Sequence, residues 1–398
     1  METSRKQQIQ SAVLKYFPKA QALSESLARH PELSYEEYES SRKIADLLSQ
    51  SGFDVTYPYT GYDTAFCACL DNGDGPSVAL LTEYDALPEI GHGCGHNLHG
   101  ALSVLTGMSL MELKDQFSGK LYVIGTPAEE ENGAKIGMAS QGIFDNMALA
   151  VMMHSWAGGA SLPNMDVLSL RCYVAEFHGE TSHAVAAPWR GKSALAAARK
   201  FLDLIDARRE CFTPDIHVNA VILDGGKAPN IIPDYAKIRM EFRTSSLARL
   251  EDVDQMIKKC ANAAAMALDC TVSLSFGLSD FYDMVRIPLL EDTVTDYFKE
   301  FGLCSGSVQP ATGSSDMGNV SYHCPSIQPL LSITEENLAL HTSAFREATQ
   351  KPPAYEALVK GAEILSALVL KVFEDQNFRE DIQEVWKCEL KKKTEVTP

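Results

Sequence analysis

The run Gly91-His92-Gly93-Cys94-Gly95-His96-Asn97-Leu98-His99 sets a thiol and two or three imidazoles on a tight, glycine-bearing turn, entered from the apolar stretch Val78-Ala79-Leu80-Leu81. Borderline-soft divalent metals prefer such nitrogen and sulfur ligands, and glycine lets a backbone bend closely around an ion. One cluster of this kind decides little, since Cys and His also sit in cores without ligating anything. Other donors, however, follow other apolar runs. Asp85 comes soon after Leu81, and Thr126-Pro127-Ala128-Glu129-Glu130-Glu131 closes the run Lys120–Gly125. His154 follows Met147–Met153, and His341 follows Ile327–Ile333 by a short loop. In open α/β sheets ligands bind beyond the carboxyl ends of the strands, so these side chains are expected to converge. Cys94, His96, Glu130, His154 and His341 then supply five ligating groups, enough for two adjacent divalent ions and a hydrolytic site. The tandem Glu129-Glu130 suits that chemistry: one carboxylate binds metal while its neighbour moves protons. Asp85 is placed to orient a ligand imidazole.

The elements that must carry these groups read as α/β. Helices are expected over Gln8–Arg29, Tyr35–Ser51 and His96–Leu113, and strands over Asp54–Tyr57, Thr64–Leu70, Ser77–Leu81, Lys120–Gly125 and Met147–Met153. Strands alternating with helices imply a mixed, mostly parallel sheet. From about Asp166 the order becomes β-α-β-β-α-β, with strands at Val167–Phe177, Ile216–Leu223, Tyr235–Arg243 and Thr271–Phe276 and helices at Gly191–Arg209 and Leu247–Met266. That is the ferredoxin-like, split βαβ pattern. The α/β pattern then resumes with Leu290–Phe301, Ile327–Ile333 and a long helix at Tyr355–Glu374. The expected division is a discontinuous catalytic domain, residues 1–165 and 284–398, interrupted by a second α+β domain at 166–283.

A chain of 398 residues exceeds one ordinary core, in keeping with two domains. Its net charge of −18 repels phosphate backbones and anionic membranes, so nucleic acid and lipid surfaces are not expected partners. Ten scattered cysteines and no apolar leader or spanning run point to an intracellular, cytoplasmic protein without disulfides.

Five stretches carry a resemblance: Thr82 to Pro88, Gly91 to Leu98, Gly125 to Glu130, Gly225 to Pro233 and Gly313 to Ser321. In this order the chain resembles the M20 metallopeptidase/amidohydrolase family, in the branch with Cys-Gly-His-Asn in place of an aspartate-based metal motif. It looks nearest to the β-alanyl-lysine dipeptidase type, and more loosely like the aminobenzoyl-glutamate hydrolases. The resemblance implies that Cys94, His96, Glu130, His154 and His341 are the ligands of zinc or manganese, two ions per subunit, and that Glu129 is the general base and acid. It implies that the inserted domain is a lid that also forms a homodimer. His183 then stabilises the oxyanion, while Asn230, Arg243 and, more weakly, His217 hold the substrate.

The expected activity is metal-dependent hydrolysis of an amide bond in a small dipeptide or N-acyl amino acid. An aminobenzoyl-glutamate-type or N-acyl amino-acid amidohydrolase is the alternative enzyme. The non-enzyme alternative, a binding protein that keeps the fold, is disfavoured because every ligand position and Glu129 are present. A structural zinc module would instead unfold on chelation. His99, three residues after His96 on one helical face, is left open between a role near the site and simple packing.

Overall fold

A computed structural model describes residues 1–394 and resolves them into two compact units. The first comprises Met1–Asp166, Met284–Ala311 and Ser315–Lys392, and the second is built mainly from Val167–Asp283. Along the first stretch run α1 (Thr3–Arg29), α2 (Tyr38–Gln50), β1 (Asp54–Thr56), β2 (Phe66–Asn72), β3 (Ser77–Thr82), α3 (His96–Glu112), β4 (Gly119–Gly125), α4 (Ala134–Ser140), β5 (Leu149–Val151) and β6 (His154–Trp156). The second unit holds β7 (Ser169–His178), β8 (Ser182–His183), α5 (Ala194–Arg208), β9 (His217–Asp224), β10 (Ile231–Ile232), β11 (Tyr235–Thr244), α6 (Leu247–Ala267) and β12 (Thr271–Phe276). The chain then returns through α7 (Pro288–Glu300), α8 (Met317–Ser321), β13 (Ser326–Ile327), β14 (Leu330–Ser332), α9 (Ser343–Ala348), α10 (Pro352–Glu374) and α11 (Gln376–Thr394).

The main sheet of the first unit has the order β1-β2-β4-β3-β5-β13. Its central pairs, β3 with β4, β3 with β5 and β5 with β13, are parallel, while β1 and β2 add an antiparallel edge. Strand β3 reads Ser-Val-Ala-Leu-Leu-Thr and is buried from its second residue onward, as a strand covered on both faces must be. Helix α3 lies against it and is buried from His96 to Leu110, so it shows no amphipathic stripe. It packs between α1 and α10, both of which turn apolar faces to the same core. Glycine allows this close approach: a Cβ on Gly107 would stand 2.9 Å from Val123 of β4.

The parallel strands β3, β4 and β5 share one carboxyl end of the sheet, and the continuation of β4 carries Glu129 and Glu130. The expected single strand over Met147–Met153 is in fact broken. It stops at Val151, and His154 opens a separate short strand, β6, paired in parallel with β14. The expected strand over Ile327–Ile333 is likewise split into β13 and β14. Helix α11 lay outside the sequence reading; its apolar positions are few, and only Phe378 and Ile382 are buried.

The second unit is an antiparallel sheet, order β12-β7-β11-β9, covered by α5 and α6. Its own core includes Phe177, Phe201, Ile238, Phe242 and Ile257. Strand β9 is an edge, and Val221, Ile222 and Leu223 on it are largely exposed. The split βαβ reading of this segment agrees with the observed order.

Leu105 sits fully buried in α3. Leu105→Ala is expected to cost about 2 to 5 kcal/mol, through lost burial and the cavity left behind. Denaturant unfolding monitored by circular dichroism checks this.

Candidate metal centre

The turn that opens α3 is shaped by backbone freedom. Gly95 adopts φ +90°, and a Cβ there would meet the Ser155 side chain at 2.8 Å. His96 is thereby set at the first turn of α3, fully buried. Its Nδ1 lies 2.9 Å from Asp85 Oδ1 and 2.9 Å from the Asp85 carbonyl oxygen. Both are acceptors, so Nδ1 carries a proton and Nε2 faces inward. Burial lowers the basicity of this imidazole, but Asp85 outweighs it and holds the pKa well above the usual value. Nε2 is buried and has no hydrogen-bond partner.

The remaining expected ligands gather around that atom. Glu130 Oε1 lies 3.8 Å from His96 Nε2 and is itself buried without a partner. Cys94, His96 and Glu130 present donor atoms within 4.8 Å of one another. Cys94 Sγ is 3.4 Å from His154 Nε2, while His154 Nδ1 donates to the Ser155 carbonyl at 2.8 Å. His154 thus also turns a bare Nε2 inward, and burial pushes its pKa down to about 4. His341 Nε2 stands 3.5 Å from the second oxygen of Glu130. Its loop is tied down by its own amide, which donates to the Gly93 carbonyl at 2.9 Å, and by a left-handed backbone, φ +60°.

Burial raises the Cys94 thiol well above its ordinary range, and the Glu130 charge adds to this. A thiolate there therefore requires a cation, and a coordinated thiol is deprotonated outright. Two orphaned buried atoms facing one another, beside a thiol and the inward Nε2 of His154, form a donor set that fits a divalent metal ion.

Asp85 does more than orient His96. Its Oδ2 accepts from the Ser34 hydroxyl at 3.0 Å and from the Glu130 amide at 3.1 Å. Burial alone would raise this carboxyl, but His96 and the Glu130 amide prevail and hold it below the usual value. Ala128 precedes the two glutamates with φ +62°, a conformation an alanine adopts only when held. Its amide donates at 2.9 Å to Glu37, a buried carboxylate that Thr64 also bonds at 2.9 Å. Glu129 is half-buried beyond this turn. Burial, with Glu83 and Glu130 alongside, holds its carboxyl well above the ordinary range.

The structure adds one residue, Glu83, to which the motifs assign no role, and decides between the two readings of His99. Glu83, which ends the apolar run next to Asp85, is buried between Lys135 Nζ at 2.6 Å and His99 Nδ1 at 3.1 Å. His99 accepts the Ser155 amide on Nε2 at 2.7 Å, so both ring nitrogens are engaged and it is no ligand in this arrangement. The one sequence signal that could have found Glu83 is a charge immediately after a buried strand.

The four residues expected to hold substrate or transition state lie in the second unit. His183 pairs with Ile231 across β8 and β10, which brings Asn230 beside it; the Ala184 amide donates to the Asn230 carbonyl at 2.9 Å. His183 Nδ1 accepts from the amides of Val185 at 3.2 Å and Ala186 at 3.1 Å, so its proton resides on Nε2. His217 and Arg243 face each other across β9 and β11. They stand at the opposite end of β11 from Tyr235, beyond which Asn230 and His183 lie. At about 3.3 Å per residue the two pairs are separated by roughly 26 Å or more. Within one chain the structure does not bring these two pairs together.

Residues 169–268 match the family model of the peptidase dimerisation domain. The chain is 32% identical to the mouse (Mus musculus) Xaa-Arg dipeptidase over 387 residues, 93% of this chain and 89% of that protein. It is 30% identical to the human (Homo sapiens) Xaa-Arg dipeptidase, with the same coverage of both chains. The crystal structure of a Bacillus subtilis dinuclear metal-binding peptidase of the M20 family superposes with a TM-score of 0.69 at 19% identity, over 90% of this chain and 99% of that one. The chain belongs to the M20 family of metal-dependent peptidases and amidohydrolases, and it hydrolyses amide bonds with the help of a divalent metal.

Proposed function

We propose that this hydrolase is a dipeptidase whose substrate carries a cationic C-terminal residue, of the β-alanyl-lysine class. The metal centre is the observation that carries the catalytic part of this reading: two buried, unpartnered donor atoms, His96 Nε2 and Glu130 Oε1, beside Cys94, His154 and His341. The similarity to Xaa-Arg dipeptidases, along most of both chains, supports the substrate class. Two zinc or manganese ions occupy the five ligands in this reading, and the thiolate favours zinc. When bound, the metal polarises the substrate carbonyl and makes a water acidic enough to attack at neutral pH.

The protein's own groups do the rest. Burial, with other carboxylates alongside, makes Glu129 hold a proton readily. It takes the proton of the attacking water and returns it to the leaving amine. Asp85 keeps His96 Nε2 and the Glu130 backbone turned to the centre. His183, with its proton held on Nε2, donates to the oxyanion of the tetrahedral intermediate. Asn230 donates through its amide, and Arg243, with His217 beside it, clamps the substrate carboxylate. One small substrate cannot touch both pairs within one chain, so His217 and Arg243 are assigned to the site of the second copy in a homodimer. The exposed apolar edge of β9 suits that association, since unpaired strand edges pair readily with a second chain. Ten unpaired cysteines accord with a cytoplasmic setting.

A panel of dipeptides and N-acyl amino acids, assayed with zinc or manganese restored, tests the substrate class. Dipeptides ending in Lys or Arg are expected to have the highest kcat/KM. Preference for aminobenzoyl-glutamate or N-acyl substrates would move the assignment to the amidohydrolase alternative. Glu129→Gln is expected to lower kcat by about 10²- to 10⁴-fold with metal content unchanged; undiminished turnover would remove Glu129 from its role. Asp85→Asn is expected to weaken metal binding about 10- to 100-fold, read by competition with a chelator. Val221→Asp in β9 is expected to yield monomers in analytical ultracentrifugation.

A further inference from the structure

A buried ammonium stands against this centre and has no part in the chemistry described so far. Lys135, on α4, is fully buried. Its Nζ donates to Glu83 Oε1 at 2.6 Å and to Asp316 Oδ1 at 2.7 Å, and its backbone amide lies 3.3 Å from Asp316 Oδ2. Burial opposes its charge, but Asp316 and Glu83 outweigh that and keep it protonated.

The surroundings of this ammonium are those of a cation site. Glu83, Glu129 and Asp316 each offer a carboxylate oxygen, and these atoms lie within 4.8 Å of one another. Three carboxylates at that spacing can hold a hard divalent ion such as Mn²⁺. The two groups adjoin: Glu83 Oε2 is 3.6 Å from His96 Nε2. Nothing in ligand type alone keeps an ion out of the carboxylate half. An ion there would also draw Glu129 into coordination and take away its proton-transfer role. Lys135 already bonds two of the three carboxylates. A divalent ion among them would have to displace it or accept its charge at short range in a water-poor interior.

We propose that Lys135 is a resident cation that confines the divalent ions to the Cys94, His96, Glu130, His154 and His341 side and leaves the Glu129 carboxylate free of metal. It is a positioning residue and touches no reacting atom. It acts by anchoring Glu83 from behind, and Glu83 in turn bonds His99, which accepts the Ser155 amide next to His154. A buried file of polar contacts thus runs from Asp316 to the strand bearing a ligand. This inference rests on the metal-centre reading above and adds a limit on where the metal sits.

The test uses the full-length protein, stripped with chelator and dialysed against Mn²⁺, with stoichiometry measured by plasma mass spectrometry and positions by anomalous diffraction. Wild-type protein is expected to show ions only on the thiol-imidazole side. Lys135→Met is expected to hold one more ion per chain, located among Glu83, Glu129 and Asp316, whereas Lys135→Arg keeps the wild-type count. An anomalous peak among those three carboxylates in the wild type would overturn the proposal, and that arm stands even if the methionine variant does not fold. A folded Lys135→Met variant with unchanged stoichiometry and positions would overturn it as well, reducing Lys135 to a structural ion pair. Wild-type protein that takes up no Mn²⁺ at all would instead overturn the metal-centre reading itself, and this inference with it.

Discussion

The Asp85 carboxylate is the point on which the centre turns. Buried at the end of the β3 run, it bonds the His96 ring, the Ser34 hydroxyl and the Glu130 backbone amide. Three segments distant in sequence are thereby referred to one group. A buried carboxylate without such donors would carry a large desolvation penalty, so the contacts that stabilise it also fix the geometry around it. The bare nitrogen of His96 and the unpartnered oxygen of Glu130 face each other as a consequence. Everything beyond, from the inward lone pair of His154 to the left-handed turn at His341, completes a cradle whose orientation Asp85 sets.

Charge balance, rather than apolar packing, organises the layer behind this cradle. Glu83, Asp316 and Lys135 are all fully enclosed, an arrangement that survives only because each charge is met at hydrogen-bond distance. Removing one member would strand the others. Glu129 borders the same layer, and burial beside Glu83 and Glu130 strongly raises its proton affinity. Two neighbouring glutamates on one turn thus acquire different characters from their surroundings: Glu130 faces imidazoles and a thiol, and Glu129 faces other carboxylates.

The second unit has a different logic. Its sheet is a self-sufficient antiparallel structure, and its polar candidates are arranged by strand register. His183 and Asn230 meet because β8 pairs with β10, and His217 meets Arg243 because β9 pairs with β11. The length of β11 separates these couples by more than the span of a dipeptide.

Much of the site was legible in the residues themselves. Cys94, His96, Glu130, His154 and His341 are chemically suited to ligate metal and each follows an apolar run, so convergence at one sheet edge follows from strand direction. The βαββαβ order of the second unit was equally plain, because periodicity reports which face of an element is buried. Periodicity says nothing about which polar atoms meet once elements pack. It could not show that His154 begins a strand of its own, that both nitrogens of His99 are engaged, or that Lys135, a residue type seldom enclosed, lies between Glu83 and Asp316. The amino-acid sequence by itself determined the donor types and the sheet end at which they gather. Tertiary structure alone decided their protonation, their partners and the neutralising of the acidic half, because these depend on distances of a few ångströms between segments far apart in the chain.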